Sequence, residues 1–138
     1  MMKIALFAGV ALFAMSSHVI AANKPDDRCT NADLRGVYSF VASGDFGGAP
    51  FAAAGQTTYD GHGNLEGLIQ MSINGGVMPR EDWVGSYDVD TDTCTATKTA
   101  GTSIGPVHFF VTFADGFKEL RFIATNPGAT ISGTARKQ

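Results

Sequence analysis

The chain has 138 residues, with 10 Lys+Arg against 13 Asp+Glu and a formal net charge of −3. That length bounds it to one ordinary domain. The mildly acidic balance, without a basic stripe, excludes a nucleic-acid partner, because a polyanion needs clustered cations.

Residues 1–22 read as a secretory signal peptide. Met1-Met-Lys3 supplies a positive start, Ile4 to Met15 is apolar and short for a bilayer span, and Val19-Ile-Ala-Ala22 offers small residues for cleavage. No later segment has the run of about 20 apolar residues that a membrane helix needs, so no stable membrane insertion is expected after cleavage. The expected location is periplasmic or secreted. The remainder is about 116 residues, enough for one modest core.

Residues 23–33 form a polar lead-in, expected to be extended, ahead of a domain over 34–138. The lead-in carries Cys29, and the second cysteine is Cys94. An exported chain with an even count reads as one disulfide, and closing so long a loop would constrain the unfolded chain by about 4 kcal/mol in the entropy model. Asp26-Asp-Arg28 before Cys29 is unlike a lipoprotein cleavage box, and two isolated cysteines lack the further ligands of a metal site.

Eight strands follow in order. Leu34–Ala42 is the first, and Gly44–Pro50 a glycine-rich loop. Phe51–Tyr59 and Asn64–Ile73 are the second and third, flanking Asp60-Gly-His-Gly-Asn64. Asp-Gly between alternating runs is a strong hairpin signal. Asn74-Gly-Gly76 turns the chain into a fourth strand, Glu81–Asp90. Cys94–Thr99 is the short, Thr-rich fifth, followed by a loop over Gly101–Gly105. Val107–Phe113, Lys118–Thr125 and Ala129–Arg136 complete the set, separated by Asp115-Gly116 and Asn126-Pro-Gly128. No helical periodicity is sustained outside the signal peptide. Evenly spaced strands with short turns predict an all-β meander: an eight-stranded antiparallel up-and-down β-barrel, with a β-sandwich as the alternative.

Two-residue alternation gives the inward faces. These are Gly36, Tyr38 and Phe40; Phe51, Ala53, Gly55, Thr57 and Tyr59; Leu65 to Ile73; Trp83 to Val89; Val107 to Phe113; Leu120, Phe122 and Ala124; and Ala129 to Ala135, in each run every second residue. The expected interior is apolar and aromatic, with no carboxylate, lysine or histidine. General acid–base catalysis needs a titratable group at the reacting atoms, so no catalytic residue is assigned. The candidate lumen residues are Tyr38, Phe40, Tyr59, Met71, Trp83, Tyr87, Phe109 and Phe122. Such a lumen accepts an apolar ligand or is simply packed.

Other motifs carry less. Alternation puts His108 outside, His62 lies in a turn, and no histidine-rich metal site is supported. Asp88-Val-Asp-Thr-Asp92 matches the start of a calcium loop but lacks its glycine and closing glutamate. The glycine-rich stretches have no following helix or phosphate-reaching lysine. Ser39 and Ser72 lie in no Gly-x-Ser-x-Gly elbow. No metal or other cofactor is expected. Val37, Val41, Leu68, Val84 and Phe110 face outward; clustered, they would form a subunit interface of a homo-oligomer.

Leu34-Arg-Gly-Val-Tyr-Ser-Phe40, Tyr59-Asp-Gly-His-Gly-Asn-Leu-Glu-Gly67, Gly85-Ser-Tyr-Asp-Val89, Cys94-Thr-Ala-Thr97, Glu119-Leu-Arg-Phe-Ile123 and Gly133-Thr-Ala-Arg136 follow one another in order. Together they resemble small exported bacterial proteins of the allene-oxide-cyclase-barrel-like group, within the calycin-type barrels. The resemblance covers nearly all of the chain after residue 22. It implies an eight-stranded barrel with an apolar cavity, in a group that includes shape-directed cyclases and binders of hydrophobic small molecules. It carries no catalytic residue over. The expected functions are therefore hydrophobic small-molecule binding, a shape-directed cyclase or isomerase in which tyrosine hydroxyls orient the substrate, or a packed protein-interaction module.

Overall fold

The computed structural model describes residues 28–138; the expected signal peptide lies outside them. A 3-10 turn, Asn31–Asp33, precedes nine strands: β1 Arg35–Phe46, β2 Ala49–Asp60, β3 Asn64–Ile73, β4 Gly76–Val77, β5 Glu81–Asp90, β6 Thr95–Thr102, β7 Gly105–Ala114, β8 Glu119–Ala124 and β9 Ala129–Lys137. Every pairing is antiparallel. The order β2-β1-β9-β8-β7-β6-β5-β3 closes through β2–β3, and the two-residue β4 lies outside this ring against β3. This is the expected eight-stranded barrel, and closure leaves no ring strand with an unpaired edge.

The hairpin between β2 and β3 forms where Asp-Gly places it. Asp60 Oδ1 accepts from the backbone N–H of His62 at 2.7 Å and of Asn64 at 3.0 Å, and Oδ2 accepts from Asn64 Nδ2 at 2.8 Å. These bonds, that from the Asn64 side chain first, hold the Asp60 pKa down to about 2. Gly61 and Gly63 take φ of 79° and 96°, a region that favours glycine.

Consecutive strands run in opposite directions, so the connections fall at two ends. One end carries the β2–β3, β5–β6 and β7–β8 connections together with the 3-10 turn, and it is closed. Leu34 caps the interior there and is 1% exposed. Tyr87 donates its hydroxyl to the Leu34 carbonyl at 2.8 Å, and the Val89 N–H donates to Asn31 Oδ1 at 2.7 Å. Cys29 and Cys94 are disulfide-bonded, with Cα atoms 5.3 Å apart, so the segment before β1 is tied to the β5–β6 turn. Of the lead-in, residues 28–33 are described: Thr30 is extended, and Asn31–Asp33 form a single 3-10 turn that plugs this end. Asp33 caps it by accepting from the Thr30 N–H at 2.8 Å.

The other end carries the β1–β2, β6–β7 and β8–β9 turns and the loop around β4. It is the mouth. Ala42, Thr102 and Ile104 are half-buried at its rim.

Inward glycines leave room for the large rings. A Cβ on Gly67 would stand 2.8 Å from Trp83 Nε1. One on Gly55 would stand 2.9 Å from the Phe40 ring, and one on Gly133 2.5 Å from Phe122 Cζ. The rings pack over glycine backbone, a known device for bending strands into a barrel.

Candidate functional site: a lysine among aromatic rings

The inward alternation places all eight candidate lumen residues in the buried core: Tyr38, Phe40, Tyr59, Met71, Trp83, Tyr87, Phe109 and Phe122. They fall into two layers. Near the closed end, Tyr59 packs edge-on against both Tyr38 and Tyr87, each with ring centroids 5.3 Å apart. Toward the mouth, Phe40 stacks on Trp83 at 5.1 Å, and Phe122 meets Phe109 edge-on at 5.5 Å.

Between the layers lies a residue that the sequence reading leaves out. Lys98 is 5% exposed and points into the barrel, so the expectation of a lysine-free interior is overturned. Its strand explains why. Ala96, Lys98 and Ala100 are buried on β6, while Thr97 is exposed and Thr95 and Thr99 are half-buried. An alternation of alanine against threonine has little hydrophobic contrast, so it does not announce an inward face. The informative signal is the four-residue separation of Ala96 and Ala100, two strand repeats, which puts Lys98 midway between them on the same inward face. The same small neighbours leave space for its long stem.

Lys98 Nζ donates to Tyr59 Oη at 3.1 Å. It lies 4.9 Å from the ring centroids of both Phe109 and Phe122, 5.3 Å from Trp83 and 5.7 Å from Tyr59. Among the described residues, no carboxylate forms a salt bridge with it. Burial disfavours the ammonium and lowers the Lys98 pKa to about 7, so both protonation states are populated near neutrality. The four ring faces and one phenol provide the available compensation for its charge.

The tyrosines are held differently from the expectation that their hydroxyls face a substrate. Tyr38 donates to the Phe117 carbonyl at 2.7 Å, and Tyr87 donates to the backbone of the plug. Those two hydroxyls fasten the closed end, and only the Tyr59 hydroxyl meets Lys98. Burial, then its two tyrosine neighbours, pushes the Tyr59 pKa upward. Trp83 Nε1 is buried without a hydrogen-bond partner among the described residues.

A small apolar void of about 20 Å³ opens from the mouth toward this layer, bounded by Phe40, Phe51, Met71, Trp83, Phe109 and Phe122 among others. That is room for about one water-sized group. A larger guest needs the side chains at the mouth to move.

Outside the lumen, His108 is exposed and its Nδ1 lies 2.8 Å from Thr99 Oγ1. Asp90 Oδ1 accepts from the N–H groups of Asp92 and Thr93, capping its own turn. No group of three or more metal-ligating side chains is found among the described residues. Nor is any described helix long and apolar enough to cross a membrane.

No protein-family model matches the chain, and no curated protein matches it. Solved structures do. A de novo designed fluorescence-activating β-barrel is 18% identical, with a TM-score of 0.53, over 75% of this chain and 93% of its own. A redesigned barrel, mFAP0, bound to DFHBI, is 16% identical, with a TM-score of 0.52, over 76% of this chain and 99% of its own. A second redesign, mFAP1, also bound to DFHBI, is 18% identical, with a TM-score of 0.51, over 78% of this chain and 97% of its own. At this identity the likeness is one of fold: a small closed β-barrel.

Proposed function

We propose that this chain is an exported barrel that binds a small hydrophobic molecule in the mouth-side half of its lumen. The observation that carries this reading is the void bounded by Phe40, Met71, Trp83, Phe109 and Phe122, which is apolar and opens toward the mouth. Concave sites lined by aromatic side chains with few polar groups are the usual form of small-molecule sites. The redesigned barrels bound to DFHBI are precedents for a small molecule held by a barrel of this shape. The disulfide suits an oxidising compartment, which supports a periplasmic or secreted location. The resemblance to allene-oxide-cyclase-like barrels points the same way. Its cyclase alternative is weakened by the engagement of Tyr38 and Tyr87 with the closed end.

Trp83 is the sole tryptophan of the chain and bounds the void, so its emission reports on occupancy. Titration with linear alcohols and aromatic dyes is expected to give a saturable change in Trp83 emission for at least one apolar probe. A flat response throughout, together with an experimental structure showing the void filled by side chains, would remove this reading.

A second reading then gains weight, because the void is small and the outer wall carries exposed apolar side chains, among them a facing pair on β7 and β8. Phe110 and Ile123 are register partners on β7 and β8, 40% and 51% exposed. They border a shallow groove with Arg121, Ser132 and Thr134. On this reading the packed barrel presents a surface to another protein, and Phe110→Ser with Ile123→Ser would abolish that contact without altering Trp83 emission.

A further inference from the structure

Among the described residues, the lumen holds one amine. Lys98 Nζ does not line the void itself but lies 4.9 Å from the ring centroids of Phe109 and Phe122, which do, so those two rings stand between the amine and the mouth-side space. No carboxylate among the described residues neutralises it by a salt bridge. Its hydrogen-bond partner there is the Tyr59 phenol at 3.1 Å. An amine placed so serves poorly as a structural cation, since a buried charge without a counter-ion is costly. It is well placed as a reactant, since a lysine desolvated in a hydrophobic pocket is the usual nucleophile toward carbonyl compounds.

We propose that Lys98 captures an apolar aldehyde as an imine within the lumen. This deepens the binding reading above and rests on it, since the aldehyde must first enter from the mouth, where side chains move to enlarge the void and the Phe109 and Phe122 rings shift to admit it to Lys98. The chemistry is balanced without any redox partner. The lone pair of neutral Nζ attacks the carbonyl carbon, a C–N bond forms, and the carbonyl π electrons pass to oxygen. One Nζ proton transfers to that oxygen, with the Tyr59 hydroxyl in reach as relay. Loss of the second Nζ proton and of the hydroxyl releases one water as C=N forms. The ring cage excludes bulk water, which would reverse the step, and its faces favour the protonated imine once formed. Depression of the Lys98 pKa to about 7 supports the assignment by supplying neutral amine at physiological pH. An ordinary lysine offers it at on the order of one part in a thousand.

The test is reductive trapping on the full chain with hexanal and cyanoborohydride at pH 7, read by intact mass and peptide mapping. Hexan-1-ol is the unreactive match, followed by Trp83 emission. The expected result is a single hexyl adduct on Lys98, forming at least about tenfold faster than on exposed Lys118 or Lys137. The adduct disappears in Lys98→Met and Lys98→Arg. Mapping on the unmodified chain decides the matter even if a variant folds poorly. Hexyl groups on Lys118 and Lys137 with Lys98 untouched, while hexanol still shifts Trp83, would overturn the imine and leave binding intact. Absence of a response to hexanol, with Lys98 unmodified, would overturn both.

Discussion

At the scale of single residues, Lys98 governs how stability depends on pH. Unfolded, its amine has the ordinary lysine pKa; folded, burial lowers it to about 7. Between those values the unfolded chain binds a proton that the folded chain does not, so stability rises with pH across that window. The contribution is present above the unfolded value and is lost as pH falls through the folded one. A tenfold change in proton affinity corresponds to about 1.4 kcal/mol, which makes the whole effect a few kcal/mol. Tyr38, Tyr59 and Tyr87 act in the opposite sense, because burial raises their pKa values and folding opposes their ionisation above about pH 10. The expected profile therefore climbs from pH 7 to near pH 10 and then declines. Lys98→Met keeps an unbranched stem without the charge. Its urea midpoint is expected to exceed that of the parent at pH 7 and to show no rise toward pH 9. A parent profile that is flat over pH 7–9 would mean that Lys98 is solvated. The residue escaped the sequence reading because small, weakly contrasted neighbours surround it. Trp83, Phe109 and Phe122 are legible because each follows a polar residue on its own strand, Asp82, His108 and Arg121, and keeps two-residue spacing with other large apolar side chains.

At the scale of elements, what could be read depended on contrast. β3 and β5 have the bounds expected of them, since polar and apolar positions largely alternate along both, with Leu68 and Val84 as the outward apolar exceptions. The Gly44–Pro50 stretch was less legible. Expected as a loop, it is mostly strand: β1 runs to Phe46, β2 resumes at Ala49, and only Gly47 and Gly48 turn, with φ of 60° and 87°. Glycine marks turns and tight strand bends alike, and cross-strand pairing decides between them. Gly101 and Thr102 likewise belong to β6, paired with Pro106 and Gly105 of β7. Gly133 shows the bending role most directly. A Cβ there would press on the Val41 carbonyl as well as on Phe122 Cζ, and Val41 belongs to the neighbouring β1. Gly133→Ala is thus expected to destabilise by about 1–3 kcal/mol, the usual range for overpacking. Adding Phe122→Leu should recover part of that loss, because the ring contact is relieved while the backbone contact remains. Urea denaturation of the two single variants and the double variant gives the coupling directly. Additive losses would show that the Phe122 ring is not what the methyl meets.

At the scale of the whole molecule, the two ends of the barrel differ in how they are held. The closed end has the Leu34 cap, the Tyr38 and Tyr87 hydroxyl bonds to main-chain carbonyls and the Cys29–Cys94 link. The mouth has turns with fewer ties, such as the Gly47 N–H to Gly128 carbonyl bond at 3.0 Å and the Ser103 N–H to Glu81 carboxylate bond at 2.8 Å. Local opening follows the less restrained regions, so a guest should enter through the mouth. Ala42 bounds the void there, and a larger side chain at that position would narrow the way in. Ala42→Phe is expected to slow the Trp83 response to an apolar probe by about tenfold or more, with a smaller change in the release-to-association balance. Reduction of the disulfide loosens the opposite end and should lower global stability without hastening entry. Stopped-flow association followed by Trp83 emission separates the two routes. Faster entry on reduction, with Ala42→Phe unchanged, would place the door at the plug and make the disulfide its latch.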